Sequence, residues 1–397
     1  MQVAFIHPNY PNSEGTGATH SATQIIELLE HQGHDVVPYC TSKPENGAIQ
    51  CEVINSERVP PHTATILNKQ ILTRKKELEK FDIIHSYLPI LVPAMNELAN
   101  DTATVVSLNA YGSICPKNNL RYMGRKTCEK NGAIKCTMCS LATSGGNAEH
   151  GRLYRSLSRL GNLRLINQVS PENIRIDGFQ ALSTHVKETY SKFGYPEERI
   201  RVIPNILDEK FLVDHQTGFH EPYNLLYVGY LEEHKGVRLL PDIMKTLIEQ
   251  SNYDFQMTIV GDGGLRRELE RRAAEFNVEH AIDFRGRIKN RNLPQIYAHH
   301  DIFVYPGLWD EPFGRVFIES LAAGTPVIGT DVGAVKEIVG DAGEVTGSNP
   351  QALASAIEKA VGESMLSTYS AKAKIQAKKY LPGKVGCEFE KLYTDIA

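Results

Sequence analysis

The 397-residue chain lacks three features that would place it in particular classes of protein. It has no surplus of basic residues, since 43 Lys and Arg against 47 Asp and Glu give a net charge of -4, and this argues against nucleic-acid binding. It has no run of the roughly 18–20 apolar residues that a membrane-spanning helix needs. Its first residues, MQVAFIHPNYPNS, lack the charged and apolar segments of a secretory signal peptide. We therefore expect a cytoplasmic protein that begins with a buried strand.

Cysteine is scarce and unevenly distributed. Four of the seven cysteines follow the spacing C-x12-C-x7-C-x2-C, and these are Cys115, Cys128, Cys136 and Cys139. In a reducing cytosol such a cluster favours a metal site over a pair of disulfides. Four thiolates that end in a Cys-x-x-Cys pair suit a structural zinc ion. The alternatives are four reduced structural cysteines, an iron–sulfur cluster or a redox switch.

Short apolar runs alternate with helical patterns along the whole chain, which predicts parallel sheets with helices on both faces. The predicted strands of the first half are residues 3–7, 35–39, 82–86, 104–108, 179–183 and 200–204. Those of the second half are residues 224–229, 255–261, 281–286, 301–306 and 325–330. The clearest predicted helices are residues 18–32, 264–276 and 314–323.

The two series of strands are joined near residues 204–219 and predict an α/β chain of two facing, doubly wound, Rossmann-like domains. We expect the first domain to contain residues 1–205 and a returning C-terminal helix at 380–397, and the second to contain 206–379. Ligands of open α/β sheets bind beyond the carboxyl ends of the strands. The expected site therefore lies in a cleft between the domains, lined by the loops that follow the strands.

The most informative segment is residues 301–339, where a strand is followed by a loop with Glu311 and a helix with Glu319. The two carboxylates have the spacing E-x7-E. A carboxylate on such a loop can accept hydrogen bonds from sugar hydroxyls, and one early in the helix can accept them from two ribose hydroxyls. The alternative is that both are ordinary surface carboxylates.

This combination of strand, acidic loop, helix and Gly-Thr-Pro strand resembles the family-4 retaining glycosyltransferases, which have the GT-B fold. The resemblance covers nearly the whole chain and is most specific in this segment. It implies that Glu311 binds the sugar ring of a nucleotide-sugar donor and that Glu319 binds the ribose. It also implies that amides at a helix N-terminus bind the diphosphate, and these are the amides of Phe313, Gly314 and Arg315.

The segment VGYLEEHKG, residues 228–236, resembles the family's loop for the leaving diphosphate. Lys235 keeps one cation of that loop, whereas Tyr230 stands where relatives commonly have an arginine. Cations there stabilise the diphosphate as its negative charge develops. His234 or Arg315 is our hypothesis for part of the missing charge, and the alternative for Lys235 is an exposed lysine without a ligand.

Two further loops of the second half resemble the parts of the family that lie beside the nucleotide. Gly261 belongs to a strand, Gly-rich turn and helix, VGDGGLRRELE. In FRGRIKNRNLP, the resemblance implies that the backbone of Arg287 and Ile288 contacts the base. Backbone contacts of this kind do not reveal which base it is.

In the first half, the loop after the first strand and the segment 104–116 extend the resemblance. Gly15, Thr16 and Gly17 lack the G-x-G-x-x-G pattern of dinucleotide sites, and the resemblance implies a loop that closes over the donor phosphates. The alternative is a capped strand–helix connection. Asn109 stands where relatives often have a histidine that points to the donor sugar, and an amide can hydrogen-bond a hydroxyl but cannot transfer a proton.

No dedicated base and no nucleophilic carboxylate are evident, so we expect a front-face reaction in which the leaving phosphate takes the acceptor's proton. The expected catalytic residues are Glu311, Lys235 and Asn109. No cofactor or divalent metal is expected for catalysis. A subset of the family has a similar Cys-Pro, Cys, Cys-x-x-Cys insertion. The expected zinc ion is structural, because nothing suggests an open catalytic position.

The segment GRLYRSLSRLGNLR, residues 151–164, has a basic amphipathic pattern. Three arginines share one side, and three leucines share another: Arg152, Arg155, Arg159, Leu153, Leu157 and Leu160. Such a helix can lie on an anionic membrane surface, on the inner face of the membrane for a cytoplasmic protein. The alternative is an ordinary amphipathic helix with a solvated face.

Together these patterns predict transfer of a hexose from a UDP- or GDP-sugar to a saccharide or polyprenyl-linked saccharide. The expected context is cell-surface polysaccharide, lipopolysaccharide or glycan assembly, with the acceptor bound by the first domain and the donor by the second. Two rival hypotheses are a GT-B sugar-nucleotide epimerase and a non-catalytic partner protein. Tyr230 and Asn109 motivate the second rival.

Overall fold

The computed structural model describes residues 1–7, 17–40, 52–53, 63–124, 126–143, 152–215 and 218–397. The chain forms two compact units, Met1–Ile206 with Gly383–Ala397, and Leu207–Pro382. These bounds differ by one and three residues from the expected divisions at 205 and 380. The roles expected for the two domains stay predictions.

The first unit has nine described strands, of which seven form one parallel sheet and two form a short separate pair. Its strands are β1 (Gln2–His7), β2 (Asp35–Cys40), β3 (Glu52–Val53), β4 (Ile83–Ser86), β5 (Ala103–Leu108), the short β6 (Arg121–Tyr122) and β7 (Lys126–Thr127), β8 (Gly178–Ala181) and β9 (Ile200–Val202). The sheet has the order β3-β2-β1-β4-β5-β8-β9, while β6 and β7 form a separate antiparallel pair. All four residues of β4 and of β8 are buried, as expected for central strands with both faces covered.

In the part of the chain that the structure describes, seven α-helices of the first unit precede the second unit. They are α1 (Gly17–His31), α2 (Thr63–Thr73), α3 (Lys75–Leu78), α4 (Val92–Leu98), α5 (Ala133–Ala142), α6 (Arg152–Ile166) and α7 (Thr184–Lys192). Helix α1 buries Ala22, Ile25, Ile26 and Leu29 because these side chains recur at helical spacing on one face. Among the described residues, no helix is long and apolar enough to cross a membrane.

The second unit is built on a six-stranded parallel sheet. Its strands are β10 (Tyr223–Val228), β11 (Phe255–Val260), β12 (Ile282–Gly286), β13 (Ile302–Tyr305), β14 (Val327–Thr330) and β15 (Gly343–Thr346), in the order β12-β11-β10-β13-β14-β15. Its helices are α8 (Leu239–Gln250), α9 (Arg266–Glu275), α10 (Leu293–Ala298), α11 (Arg315–Ala322), α12 (Val335–Val339), α13 (Pro350–Gly362) and α14 (Leu366–Ala377). The strand order reverses between β10 and β13, which makes the loops after these two strands the expected ligand site.

The predicted α/β fold is confirmed, and each strand predicted from an apolar run is present. The last strand of the second sheet, β15, was not predicted. Its four residues, Gly343–Thr346, are all only half-buried because it lies at the edge of the sheet. An edge strand needs no apolar run, so the hydropathy pattern carries little signal there.

The C-terminal helix α15 (Pro382–Ile396) belongs to the first unit from Gly383 onward. It buries Val385, Phe389, Leu392 and Tyr393 in the core that also contains β1 and α1. These positions recur at three- and four-residue spacing, so they share one face of the helix. The end of the chain is therefore part of the first unit's hydrophobic core.

A buried chain of hydrogen bonds also joins α15 to the central strands of the first sheet. The Ser107 hydroxyl donates to Gln180 at 2.6 Å, and Gln180 in turn donates to the carbonyl of Ile203 at 3.0 Å. Nε2 of His85 lies 2.8 Å from the Ser107 hydroxyl and Nδ1 lies 2.7 Å from the Tyr393 hydroxyl. Because the serine proton is already used, Nε2 carries the imidazole proton and Nδ1 accepts from Tyr393. Burial lowers the pKa of His85 to about 3, so the ring is neutral at pH 7.

Replacing Tyr393 with Phe should destabilise the protein, because Nδ1 of His85 would then be a buried acceptor without a donor. The expected loss in free energy of unfolding is about 1–3 kcal/mol, measured by urea denaturation followed by circular dichroism. Tyr253→Phe is the matched control, because the half-buried Tyr253 hydroxyl donates no hydrogen bond within the described ranges. Equal denaturation midpoints for the two variants would contradict the proposed role of this network.

Candidate functional site

Four loops meet at the carboxyl edge of the second unit's sheet, after β10, β11, β13 and β14. Backbone hydrogen bonds join them in pairs. The N–H of Leu231 donates to Asp262, that of Leu308 donates to His234 at 3.1 Å, and that of Ala334 donates to Glu311 at 2.8 Å. These backbone hydrogen bonds therefore hold the loops together independently of any side-chain contact.

Two glycines allow the backbones of these loops to approach so closely. A Cβ on Gly236 would lie 1.8 Å from the carbonyl oxygen of Pro306, and one on Gly333 would lie 2.3 Å from the backbone of Glu311. Both residues also have positive φ, +66° and +57°, which disfavours any side chain. The positions of Lys235, next to Gly236, and of Glu311 thus depend on contacts that only glycine permits.

Glu311 is the centre of the side-chain cluster that these loops form. It is only 7% exposed, and its Oε2 accepts three hydrogen bonds. The donors are Nζ of Lys235 at 2.6 Å, the hydroxyl of Tyr305 at 2.7 Å and Nε1 of Trp309 at 2.9 Å. Lys235 also lies 5.2 Å from the centre of the Trp309 ring, within range of a cation–π contact.

The charge of this cluster is set by competition between burial and hydrogen bonding. Burial alone would raise the pKa of Glu311, but the charge of Lys235 and the three donors outweigh it, so the pKa lies below its ordinary value. Glu311 is therefore ionised at neutral pH. For His234, burial and the neighbouring Lys235 lower the pKa, so its imidazole is neutral at pH 7. This argues against His234 as the source of a second positive charge.

Glu319 lies in α11 and is only 4% exposed. Its Oε2 accepts from the Tyr297 hydroxyl at 3.3 Å, and its Oε1 lies 3.8 Å from Nε of Arg315. Burial raises the pKa of Glu319 despite these two partners, because neither contact is short. Arg315 is accordingly directed toward Glu319, one turn further along the helix.

The predicted diphosphate-binding amides lie where the sequence places them, at the start of α11. Phe313 is buried and its ring packs edge-on against Tyr380, with 5.6 Å between ring centres. Gly314 has φ +77° and precedes the first helical residue, Arg315. The first N–H groups of a helix have no partner within it, so this position can bind an anion.

The other predicted donor residues of the second unit also lie on loops at this edge. Tyr230 is 48% exposed, and its carbonyl accepts from the Tyr227 hydroxyl at 3.0 Å. Gly261 follows β11 and donates to the carbonyl of Gly286 at 2.8 Å. The exposed Arg287 and the half-buried Ile288 come directly after β12, beside that contact.

Of the donor-binding and catalytic residues predicted in the first unit, the structure describes Gly17 and Asn109. Gly15 and Thr16 lie outside the described residues, and Gly17 is the exposed first residue of α1. Asn109 follows β5, and its Nδ2 donates to the carbonyl of Tyr87 at 2.8 Å. The side-chain oxygen of Asn109 is the atom that can still accept a hydrogen bond from a hydroxyl.

The four clustered cysteines line one small cavity of about 20 Å³, and none of them forms a disulfide. Within the described ranges, no three His, Cys, Asp or Glu side chains are already arranged to hold a metal ion.

One expectation for the basic segment needs correction. Arg159 does not lie on a solvated basic face, because its guanidinium donates to Ser140 at 3.2 Å and to Thr143 at 3.3 Å in α5.

Sequence reasoning missed three side chains of the site, Tyr305, Trp309 and Tyr297, all of which contact Glu311 or Glu319. Tyr305 and Tyr297 have no motif around them that distinguishes them from core tyrosines. Trp309 had an available signal, because it is the only tryptophan of the chain and stands two residues before Glu311.

Two family models together match residues 15–379. Residues 15–211 match the model described as Glycosyltransferase Family 4, and residues 211–379 match Glycosyl transferases group 1. The chain belongs to the family-4 glycosyltransferases. Structural neighbours of this glycosyltransferase have the GT-B fold, in agreement with the two α/β units described above.

Three proteins illustrate the similarity. An uncharacterised glycosyltransferase of Methanocaldococcus jannaschii is 30% identical over 45% of this chain and 48% of its own length. A GDP-mannose-dependent phosphatidylinositol dimannoside mannosyltransferase of Mycobacterium tuberculosis is 26% identical over 62% of this chain and 72% of its own. The solved structure of Anabaena HepE with UDP superposes with a TM-score of 0.72 over all of both chains, at 17% identity. The chain thus spans about half the length of the first of these relatives.

Replacing Lys235 with Met should raise the pKa of Glu311 above its ordinary value, because burial would no longer be offset by the ammonium group. Trp309 donates to Glu311, so its fluorescence should report the titration between about pH 4 and pH 8, with a midpoint above about 4.3. The measurement is best made in a His234→Gln background, because that ring lies 5.4 Å from Trp309 and also titrates.

Lys374→Met is the control for this titration, because Lys374 pairs with the exposed Asp214 at 2.8 Å and not with Glu311. Its profile should match that of the His234→Gln parent. If Lys235→Met also leaves the profile unchanged, Lys235 does not set the charge state of Glu311.

Proposed function

We propose that this glycosyltransferase moves a hexose from a UDP- or GDP-sugar to a saccharide or lipid-linked saccharide, with retention of the anomeric configuration. The observation that carries the proposal is the buried Glu311–Lys235 pair at the carboxyl edge of the second sheet, eight residues before Glu319 in the E-x7-E segment. The relatives are consistent with both kinds of donor, since HepE was solved with UDP and the mycobacterial enzyme is named GDP-mannose-dependent. The proposed context is cell-surface polysaccharide or glycan assembly.

In this proposal the second unit binds the donor. Glu311 is ionised and acts only as an acceptor, so it can accept hydrogen bonds from sugar hydroxyls. Nζ of Lys235 lies beside Glu311 and would bind the diphosphate as negative charge develops on it. Glu319 would accept from the ribose hydroxyls, which would improve the weak solvation of that buried carboxylate. The amides of Phe313 and Gly314 at the start of α11 would supply further positive potential.

The chemical step that fits these residues is a front-face displacement. The bond between the sugar's anomeric carbon and the diphosphate oxygen breaks, and the acceptor oxygen bonds to the same face of that carbon. The acceptor's proton passes to the leaving phosphate oxygen, so no protein base is required. Asn109 of the first unit would orient a sugar hydroxyl, because an amide hydrogen-bonds but does not exchange protons at neutral pH.

Fluorescence of Trp309 offers a direct test, because the only tryptophan of the chain lies in this cluster. One member of a panel of UDP- and GDP-hexoses should change its emission saturably. The same ligand at about 100 times its dissociation constant should add about 2.7 kcal/mol to the free energy of unfolding. Glu319→Ala should abolish both effects, whereas Glu275→Ala, on the exposed side of α9, should not.

Turnover is then measured with p-nitrophenyl hexosides as acceptor probes, and the anomeric configuration of the product is read by NMR. Retention is expected. A panel in which no nucleotide sugar changes the emission or the unfolding free energy would overturn the proposal. Binding without release of UDP or GDP would favour the non-catalytic partner, and a changed sugar without any acceptor would favour the epimerase.

We also propose that helices α5 and α6 of the first unit bind an anionic membrane surface that carries the acceptor. Half of the exposed large hydrophobic side chains in the described residues lie on these helices, namely Ile134, Met138, Leu141, Leu153 and Leu157. Leu153 is 74% exposed and Leu157 is 40% exposed, so apolar side chains in the first half of α6 are turned outward, whereas Leu163 is buried. Exposed cations on and near the two helices, such as Lys126, Lys130 and Arg164, match an anionic lipid surface.

The double substitution Leu153→Gln and Leu157→Gln should reduce binding to phosphatidylglycerol vesicles at least about tenfold in a flotation assay. Each leucine contributes about 1.5–3 kcal/mol when it is fully buried in an apolar phase. Ile375→Gln is the control, because Ile375 is 66% exposed but belongs to the second unit. Equal flotation of the double variant and the control, or no flotation of the unmodified protein, would contradict the membrane proposal.

A further inference from the structure

The four clustered cysteines come from three separate segments of the first unit that meet around one cavity. Cys115 lies in the turns after β5, Cys128 directly follows β7, and Cys136 and Cys139 lie one turn apart on α5. Three of the four are buried, and Cys128 is half-buried. A cavity of about 20 Å³ has room for one ion or one water molecule. All four side chains therefore border the same small space.

One N–H donor and three cationic side chains border this cavity. The N–H of Met123 points at Sγ of Cys139, 3.2 Å away, in the arrangement that stabilises an anionic sulfur. Lys117, Arg121 and Lys135 line the same cavity. One Zn²⁺ and four thiolates have a net charge of −2, so three neighbouring cations would offset a charge that is otherwise costly to bury.

Apart from the cysteines and Leu120, the described part of this segment has few buried apolar side chains. Its two strands, β6 and β7, have two residues each, and on α5 the large side chains Ile134, Met138 and Leu141 are exposed. On α5 the buried face consists of Cys136, Cys139 and Ser140. Since apolar burial is the usual source of stability, a segment with so little of it needs another cross-link.

We propose that Cys115, Cys128, Cys136 and Cys139 bind one zinc ion in tetrahedral coordination, as a structural site that holds β6, β7 and α5 together. Binding releases four thiol protons to solvent and forms four zinc–sulfur bonds, with no change of oxidation state. The sulfurs would have to move inward, because no three of these side chains are at ligand spacing in the described residues. Cys128 is half-buried, and its thiol donates a long hydrogen bond of 3.4 Å to the carbonyl of Lys130, so it would move most freely.

The zinc site would also support α6, which is attached to two of the segments that carry it. Asn162 donates to the carbonyl of Pro116, next to Cys115, and Arg159 donates to Ser140, next to Cys139. The site is distinct from the Glu311 cluster, which lies in the second unit. Zinc binding can therefore be measured whether or not the protein transfers a sugar.

Metal analysis of the full chain, purified under reducing conditions without chelator, tests the proposal. About one zinc ion per chain is expected, and Cys128→Ser should lower the zinc content at least severalfold. Cys387→Ser is the control, because Cys387 is exposed and lies on α15. In the unmodified protein, exchange for Co²⁺ should give the visible absorption of tetrahedral cobalt–thiolate coordination, a result that does not depend on any variant folding.

Three results would overturn the zinc site. The first is a zinc content below about a tenth of an equivalent in the unmodified protein. The second is about one equivalent of iron in place of zinc, with the colour of an iron–sulfur cluster. The third is an unchanged zinc content in both Cys128→Ser and Cys387→Ser.

Discussion

The site of this glycosyltransferase depends on how one buried carboxylate is kept charged. Removing a carboxylate from water costs several kcal/mol unless strong donors replace the lost solvation. Glu311 receives three such donors on a single oxygen, one of them the ammonium group of Lys235. Lys235 lies after β10, whereas Tyr305 ends β13 and Trp309 lies in the loop that follows β13. The carboxylate is therefore stable only while the loops after β10 and β13 keep their mutual position. Gly236 and Gly333 maintain that position through backbone contacts that a side chain would prevent.

In the proposed reaction, donor binding changes the partners of both members of the Lys235–Glu311 ion pair. Lys235 can move from Glu311 toward a diphosphate only if other donors take its place on the carboxylate. Sugar hydroxyls are suitable replacements, because they donate hydrogen bonds without carrying charge. A complete nucleotide sugar would therefore satisfy both groups at once, whereas a free nucleotide would satisfy only the lysine. This coupling gives a physical reason for a preference for the intact donor.

The first unit satisfies its buried polar groups in a different way. Its central network uses a neutral His85, whose two ring nitrogens are both hydrogen-bonded and whose pKa is lowered to about 3. Charge is avoided there, and α15 is fixed to the sheet by hydrogen bonds and apolar packing. Among its described residues, the segment from Cys115 to Cys139 has few buried apolar side chains. For that reason we assign its cohesion to the four cysteines.

The sequence by itself determined the α/β fold, the two-unit organisation and the segment that carries Glu311 and Glu319. Buried parallel strands are continuous apolar runs, and the spacing of a motif on a strand, loop and helix is a local property, so both can be recognised without coordinates. Only the tertiary structure decided that Lys235, Tyr305 and Trp309 all donate to one oxygen of Glu311. The residues in these contacts are up to 76 positions apart in the sequence, and no local sequence pattern indicates a contact over such a separation. The tertiary structure also decided that Arg159 turns toward α5. A helical pattern shows which residues share one side of a helix, but it does not show which neighbouring element that side contacts.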